Sequence, residues 1–237
     1  MTEWALGPAV AAFHAGVTVV CELAAQFTDD SWAAPTPCPE WRAADLAGHL
    51  RCMADDFHEY LDDAPASRLA RLMATGADAA WLARKLARQN AAELAALAEG
   101  QGPEHITAFA ASARAYARRI PPVWDLPHHR YRDTVVTVGG MAGAACAEWH
   151  LHAWDLAQAL GKDYSPADPD VVAAGWQAGM PHLPLGVPVA VATCGAAPVG
   201  GSVATGAEGD GAWRAGLARP GGTGAWGALL RASGRLA

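Results

Sequence analysis

Three residues of this 237-residue chain have types and spacing that could do chemistry: His49, Glu148 and His152. Glu148 and His152 are four apart in a segment with helical periodicity, which places both side chains on one face, one turn apart. His49 belongs to another predicted helix, in a stripe otherwise made of Leu46, Leu50, Met53, Phe57 and Tyr60. Brought together in a bundle core, two imidazoles and one carboxylate would hold one divalent ion and leave positions open for water or substrate. The set suits catalytic zinc and equally a ferrous facial triad, so ligand identity alone does not choose the metal. By spacing alone such a pair is more often a solvated helix pair, and a histidine like His49 a core residue with one hydrogen bond.

The elements that must position these residues are helical. Leu6, Val10, Phe13, Val17, Val20, Ala24 and Phe27 alternate by three and four and predict a first helix over about 6–27. Pro35, Pro37 and Pro39 make the next segment irregular, and a second helix begins near Arg42. A short helix is expected within 64–76, a longer one over about 77–99, and another from Pro103 to the break at Pro121 and Pro122. Residues 123–137, with His128 and His129, read as a long loop with a short extended piece, its histidines exposed. A helix over about 139–160, stopped by Gly161, carries Glu148 and His152. There Met141, Ala145, Glu148, His152, Asp155 and Ala159 flank a more apolar stripe, which places the pair at the border of the buried face. Asp168 and Pro169 announce one more helix to about Met180. Beyond it come an apolar run at 187–194, glycine-rich turns, a short run at 213–217 and a helix near 225–231. The expected class is mainly α: a four-helix bundle over 1–163 and a small C-terminal α/β lobe or cover over 164–237.

Composition narrows the function further. Hydrophobic residues make up 52% of the chain and charged residues 17%, enough for a well-filled core. A net charge of −7 without a basic cluster argues against nucleic acid as a partner. The five cysteines, 21, 38, 52, 146 and 194, are odd in number and form no C-x-x-C pair, which argues against a disulfide framework or a thiolate zinc knuckle. With no secretory leader pattern and no unbroken apolar run of membrane length, the expectation is a cytoplasmic, membrane-free monomer or homodimer acting on a small molecule.

Two segments carry a family resemblance. Residues 36–50, TPCPEWRAADLAGHL, resemble the N-terminal signature of mycothiol-dependent maleylpyruvate isomerases and their DinB-like relatives, in which a proline-rich turn and a tryptophan lead into the helix of the first metal histidine. Residues 148–161, EWHLHAWDLAQALG, resemble the second signature, which supplies a glutamate and a histidine. The resemblance covers roughly 6–161 and implies a DinB-like bundle whose metal, zinc first and iron or nickel as alternatives, is held by His49, Glu148 and His152. It also implies mycothiol as cosubstrate, its thiolate adding to an electrophile: in isomerases the bond rotates and the thiol leaves, in transferases the thiol stays. The alternatives are a thiol-independent Lewis-acid cyclase, lyase or hydrolase acting on a natural-product intermediate, and a non-catalytic metal-binding module.

The sequence departs from that family in two places. Its glycine-rich tail does not align with the lobe that supplies the isomerase's catalytic arginine; Arg214, Arg219 and Arg231 are candidates by location. The closing stretch at 227–235, GALLRASGR, resembles shorter family members of unassigned activity. Arg42 stands where the family has a capping Ser or Thr, and Asp45 is expected to serve the helix start in preference to orienting His49. Asp155, on the side of Glu148 and His152, is expected either to orient a ligand or to contact the helix end. His150 should point away, Trp149 and Trp154 are read as core or pocket wall, and Cys38, Cys52 and Cys146 as packing residues.

Overall fold

The computed structural model describes residues 4–38, 41–64, 66–97, 102–185 and 224–236. Its helices are α1 (Leu6–Ala24), α2 (Ala43–Asp62), α3 (Arg68–Met73), α4 (Ala79–Ala96), α5 (Gly102–Arg119), α6 (Val138–Ala159), α7 (Pro169–Gly179) and α8 (Gly224–Ala232). Between α5 and α6 lies an antiparallel hairpin of β1 (Pro127–Tyr131) and β2 (Thr134–Thr137). The protein is therefore mainly α, and α1, α2, α5 and α6 form the bundle. Helix α4 lies on α2, α7 lies on α6 and α1, and α8 lies on α7. The apolar run at 187–194 and the segment at 213–217 fall outside the described residues.

Local chemistry explains most helix starts. Ser67, Asp78, Thr137 and Asp168 each cap a helix by accepting a backbone N–H three residues on. At α2 the job falls to Asp45, whose Oδ2 accepts the Arg42 N–H at 2.8 Å; this is the helix-start role expected of it. The Thr36 N–H donates to the Trp41 carbonyl at 3.1 Å, and the Ala43 N–H to the Ala34 carbonyl at 3.0 Å. These bonds pin the proline-rich segment to the start of α2.

Helix α6 differs from its expected half-buried form. Every residue from Val138 to Gln158 is buried, because α1, α2 and α7 cover its sides and the hairpin covers its start. Trp149 lies at its centre, with Phe109, Phe57 and Phe13 packed against its ring at centroid distances of 4.9, 5.8 and 6.0 Å. Where α6 meets α7 the backbones themselves touch: a Cβ on Gly143 would stand 2.4 Å from the Gly175 carbonyl oxygen. Among the described residues α1 alone is long and apolar enough by composition to cross a membrane. Its Phe13, Val17 and Val20 are instead buried in the core, along α5 and α6.

Candidate metal centre and adjoining pocket

The fold brings the three expected residues together. His49 comes from the first half of α2, and Glu148 and His152 from successive turns of α6. The His49 and His152 rings stand edge to face with centroids 5.1 Å apart. His152 Nε2 lies 3.6 Å from Glu148 Oε2, beyond a good hydrogen bond. All three residues are buried, Glu148 being 7% exposed. Trp41 packs on His49 with centroids 4.6 Å apart, so the tryptophan of the proline-rich segment fixes the imidazole plane.

Hydrogen bonding sets the tautomer of His152. Its Nδ1 lies 2.9 Å from Asp155 Oδ2, and Arg235 grips the same carboxylate, Nη2 to Oδ2 at 2.6 Å and Nε to Oδ1 at 2.9 Å. Burial pushes the Asp155 carboxyl up, but the Arg235 guanidinium and His152 outweigh it and hold the group below the usual carboxylate range. An ionised Asp155 accepts the Nδ1–H, which leaves Nε2 bare and directed at Glu148. This settles the place of Asp155: it orients His152.

The donor types suit a divalent cation, and the ligand atoms of His49, Glu148 and His152 do not all lie within 4.8 Å of one another. His49 Nδ1 is buried without a hydrogen-bond partner, and no hydrogen bond joins Glu148 or His152 Nε2 to a described residue. Two atoms each about 2.0–2.2 Å from one ion stand roughly 3–3.5 Å apart, close to the Nε2–Oε2 separation observed. Burial pushes the His49 pKa far down, and His152 and Arg235 add to the shift, so the ring is neutral as a ligand must be. Among the described residues, the one group of three whose ligand atoms all lie within 4.8 Å of one another, and which could hold a metal by proximity, is Cys38, His152 and Asp155. Its chemistry is less apt. Asp155 is already paired with Arg235 and His152 Nδ1, a guanidinium beside a cation is repulsive, and Cys38 is disulfide-bonded. That disulfide runs against the expectation from cysteine count; C-x-x-C spacing reports only local pairs, and Cys21, Cys52 and Cys146 are free.

A cavity of about 110 Å³ adjoins the triad, with His49 and Glu148 in its lining. Met53, Phe57, Met73, Leu86, Met141 and Leu183 make its wall largely apolar. Its polar edge holds Asp56, whose pKa burial and Glu93 raise to about 6 despite Arg68 at 3.0 Å.

Other residues fall differently from expectation. His128 and His129 are buried, not exposed, and His129 lines the cavity. The expected loop is the β1–β2 hairpin, and its register shift between Pro127 and His129 leaves His128 as an extra residue. Because of that bulge neither of the two successive histidines faces solvent. His150 does point away: its Nε2–H donates to the Ala12 carbonyl at 3.0 Å, and its Nδ1 meets the Tyr164 hydroxyl. Arg231 sits in the last turn of α8, while Arg214 and Arg219 lie outside the described residues. The arginine that reaches the site is Arg235, which sequence reasoning missed; only its place in the family-like closing stretch hinted at it.

Comparison with known proteins adds one match. Residues 13–157 fit the family model described as the mycothiol maleylpyruvate isomerase N-terminal domain. No curated protein and no solved structure matches the chain.

Proposed function

The chain belongs to the mycothiol maleylpyruvate isomerase N-terminal domain family, and on that footing we propose a metal-dependent enzyme that adds a low-molecular-weight thiol, such as mycothiol, to an electrophilic small molecule. The observation that carries the proposal is that His49, Glu148 and His152 are buried neighbours, with His49 Nδ1 and His152 Nε2 free of hydrogen bonds to described residues, beside an apolar cavity. These three residues would hold the ion, zinc first and iron or nickel as alternatives. The ion would supply thiolate stabilisation at neutral pH, since the thiolate and not the thiol is the nucleophile.

The chain's own residues supply the rest. Asp155 keeps the His152 proton on Nδ1 and thereby keeps Nε2 available. Arg235 keeps Asp155 ionised where burial alone would neutralise it. Trp41 prevents the His49 ring from turning away. The apolar wall takes the body of the electrophile and excludes water, a competing nucleophile.

Metal analysis of purified protein tests the centre: about one ion per chain is expected, and His49→Ala should lose it. Full occupancy in that variant would overturn the assignment. Calorimetric titration of the metal-loaded protein with mycothiol tests the cosubstrate. Saturable binding supports the thiol reaction, and no binding transfers the site to thiol-independent Lewis-acid chemistry.

A further inference from the structure

We propose that His129 Nε2 is a fixed hydrogen-bond acceptor in the cavity, built to recognise a hydroxyl or N–H donor on the small-molecule substrate. The inference deepens the proposed function, and it rests on that reading for the cavity being the substrate site.

The case begins with the β-bulge. In a regular strand His128 and His129 would face opposite sides, but with His128 as the extra residue both are turned inward, 1% and 6% exposed. Bulges of this kind re-aim side chains near sites. A chain of hydrogen bonds then dictates the protons. His128 Nε2 lies 3.0 Å from the Tyr60 carbonyl oxygen, which can only accept, so His128 carries its proton on Nε2. Its bare Nδ1 therefore accepts from His129 Nδ1, 2.9 Å away, and His129 must carry its proton there. His129 Nε2 is left with a lone pair and no hydrogen bond to a described residue, and it is not among the fully enclosed unpartnered atoms. Since His129 lines the cavity that His49 and Glu148 also line, that lone pair has the cavity to face.

The opposite proton order needs a charged His128, which burial opposes. Burial, then His128 and His182, push His129 itself down to about 3. A nitrogen with so little proton affinity accepts a hydrogen bond and does not abstract a proton, which points to recognition and away from general-base catalysis. A buried acceptor of this kind discriminates strongly, because a ligand that desolvates it without supplying a donor leaves it unpaired.

The test uses the full-length, metal-loaded chain with phenol and fluorobenzene, near-isosteres that differ in one donor and are small enough for this cavity. Calorimetry should give phenol about 10-fold or more the affinity of fluorobenzene. His129→Asn keeps a donor at the Nδ1 position for His128 but removes the acceptor, and should bring the two ligands within about twofold. His129→Gln, whose amide oxygen reaches the Nε2 position, should restore part of the preference. Nitrogen-15 NMR of the ligand-free protein should show the His129 proton on Nδ1. Equal affinities in the parent chain, a preference undiminished in His129→Asn, or a proton on Nε2 would each overturn the proposal. His49→Ala separates the two readings: a phenol preference that survives loss of the metal and is abolished by adding His129→Asn belongs to His129. One that vanishes with the metal overturns the His129 assignment and leaves the metal centre standing.

Discussion

Arg235 and Asp155, eighty residues apart, meet in the core as a two-point ion pair, with Nη2 on Oδ2 at 2.6 Å and Nε on Oδ1 at 2.9 Å. The pair is almost completely enclosed, the arginine side chain being 2% exposed. It ties the closing turn after α8 to the C-terminal part of α6 and leaves Asp155 charged beneath His152.

Removing one partner should therefore cost more than a surface ion pair would. Arg235→Met leaves a buried carboxylate without its cation, and about 3–5 kcal/mol of stability should be lost. Urea unfolding followed by tryptophan fluorescence checks this. A loss below about 1 kcal/mol, as for an exposed pair, would contradict the enclosed geometry.

Asp155→Asn tests the orientation of His152 from the other side. The amide cannot enforce a proton on Nδ1 as an ionised carboxylate does, so zinc affinity should fall roughly 10–100-fold while His49, Glu148 and His152 remain. Competition with a zinc chelator measures the change, with circular dichroism confirming the fold. Unchanged affinity would show that Asp155 serves packing alone.

Gly143→Ala should destabilise the protein although alanine is the better helix former. Its methyl would enter the α6–α7 contact, 2.4 Å from the Gly175 carbonyl oxygen, where only backbone can yield. The expected cost is about 1–3 kcal/mol, read as a lower Tm. Gly7→Ala, with nothing within 4 Å of the added Cβ, is the matched control and should be neutral or stabilising.

Acid should unfold the protein earlier than its carboxylates require. His129 is held near 3 and His182 near 4, both chiefly by burial. A depressed histidine means that the unfolded chain binds the extra proton, so these groups support the fold fully above pH 6.5. That support is lost progressively as pH falls from 6.5 toward 4. Each pH unit in that window costs up to about 1.4 kcal/mol per histidine, less any solvent screening. Urea midpoints at pH 7.5 and 5.0 check it; a His182→Phe variant should show a shallower decline, and an equal slope would rule His182 out as a contributor.

Much of the architecture was legible in residue order. The three-four alternation of Leu46, His49, Leu50, Met53 and Phe57 predicted α2, and prolines 121 and 122 marked the end of α5. Asp168 and Pro169 announced α7. The hairpin was not legible, because its two short strands have no lasting alternation and a bulge breaks what there is. The full burial of α6 was hidden for a related reason: its small residues Gly140, Gly143 and Ala144 look neutral in a hydrophobic pattern, yet they are what lets α7 approach.

The sequence by itself determined where the helices lie, that Glu148 and His152 share a face, and that two family-like segments frame His49 and that pair. Those properties are local: helical periodicity acts over a few residues, and a cap or a proline acts on the next turn. Only the tertiary structure decided that Arg235 reaches Asp155, that His49 Nδ1 is left without a partner, that Cys38 is in a disulfide, and that His128 and His129 both turn inward. These depend on which distant surfaces pack and in what register, a balance of burial against desolvation settled across the whole core. The candidate metal ligands could thus be named from residue order, while the groups around them and the wall that faces them arise from packing.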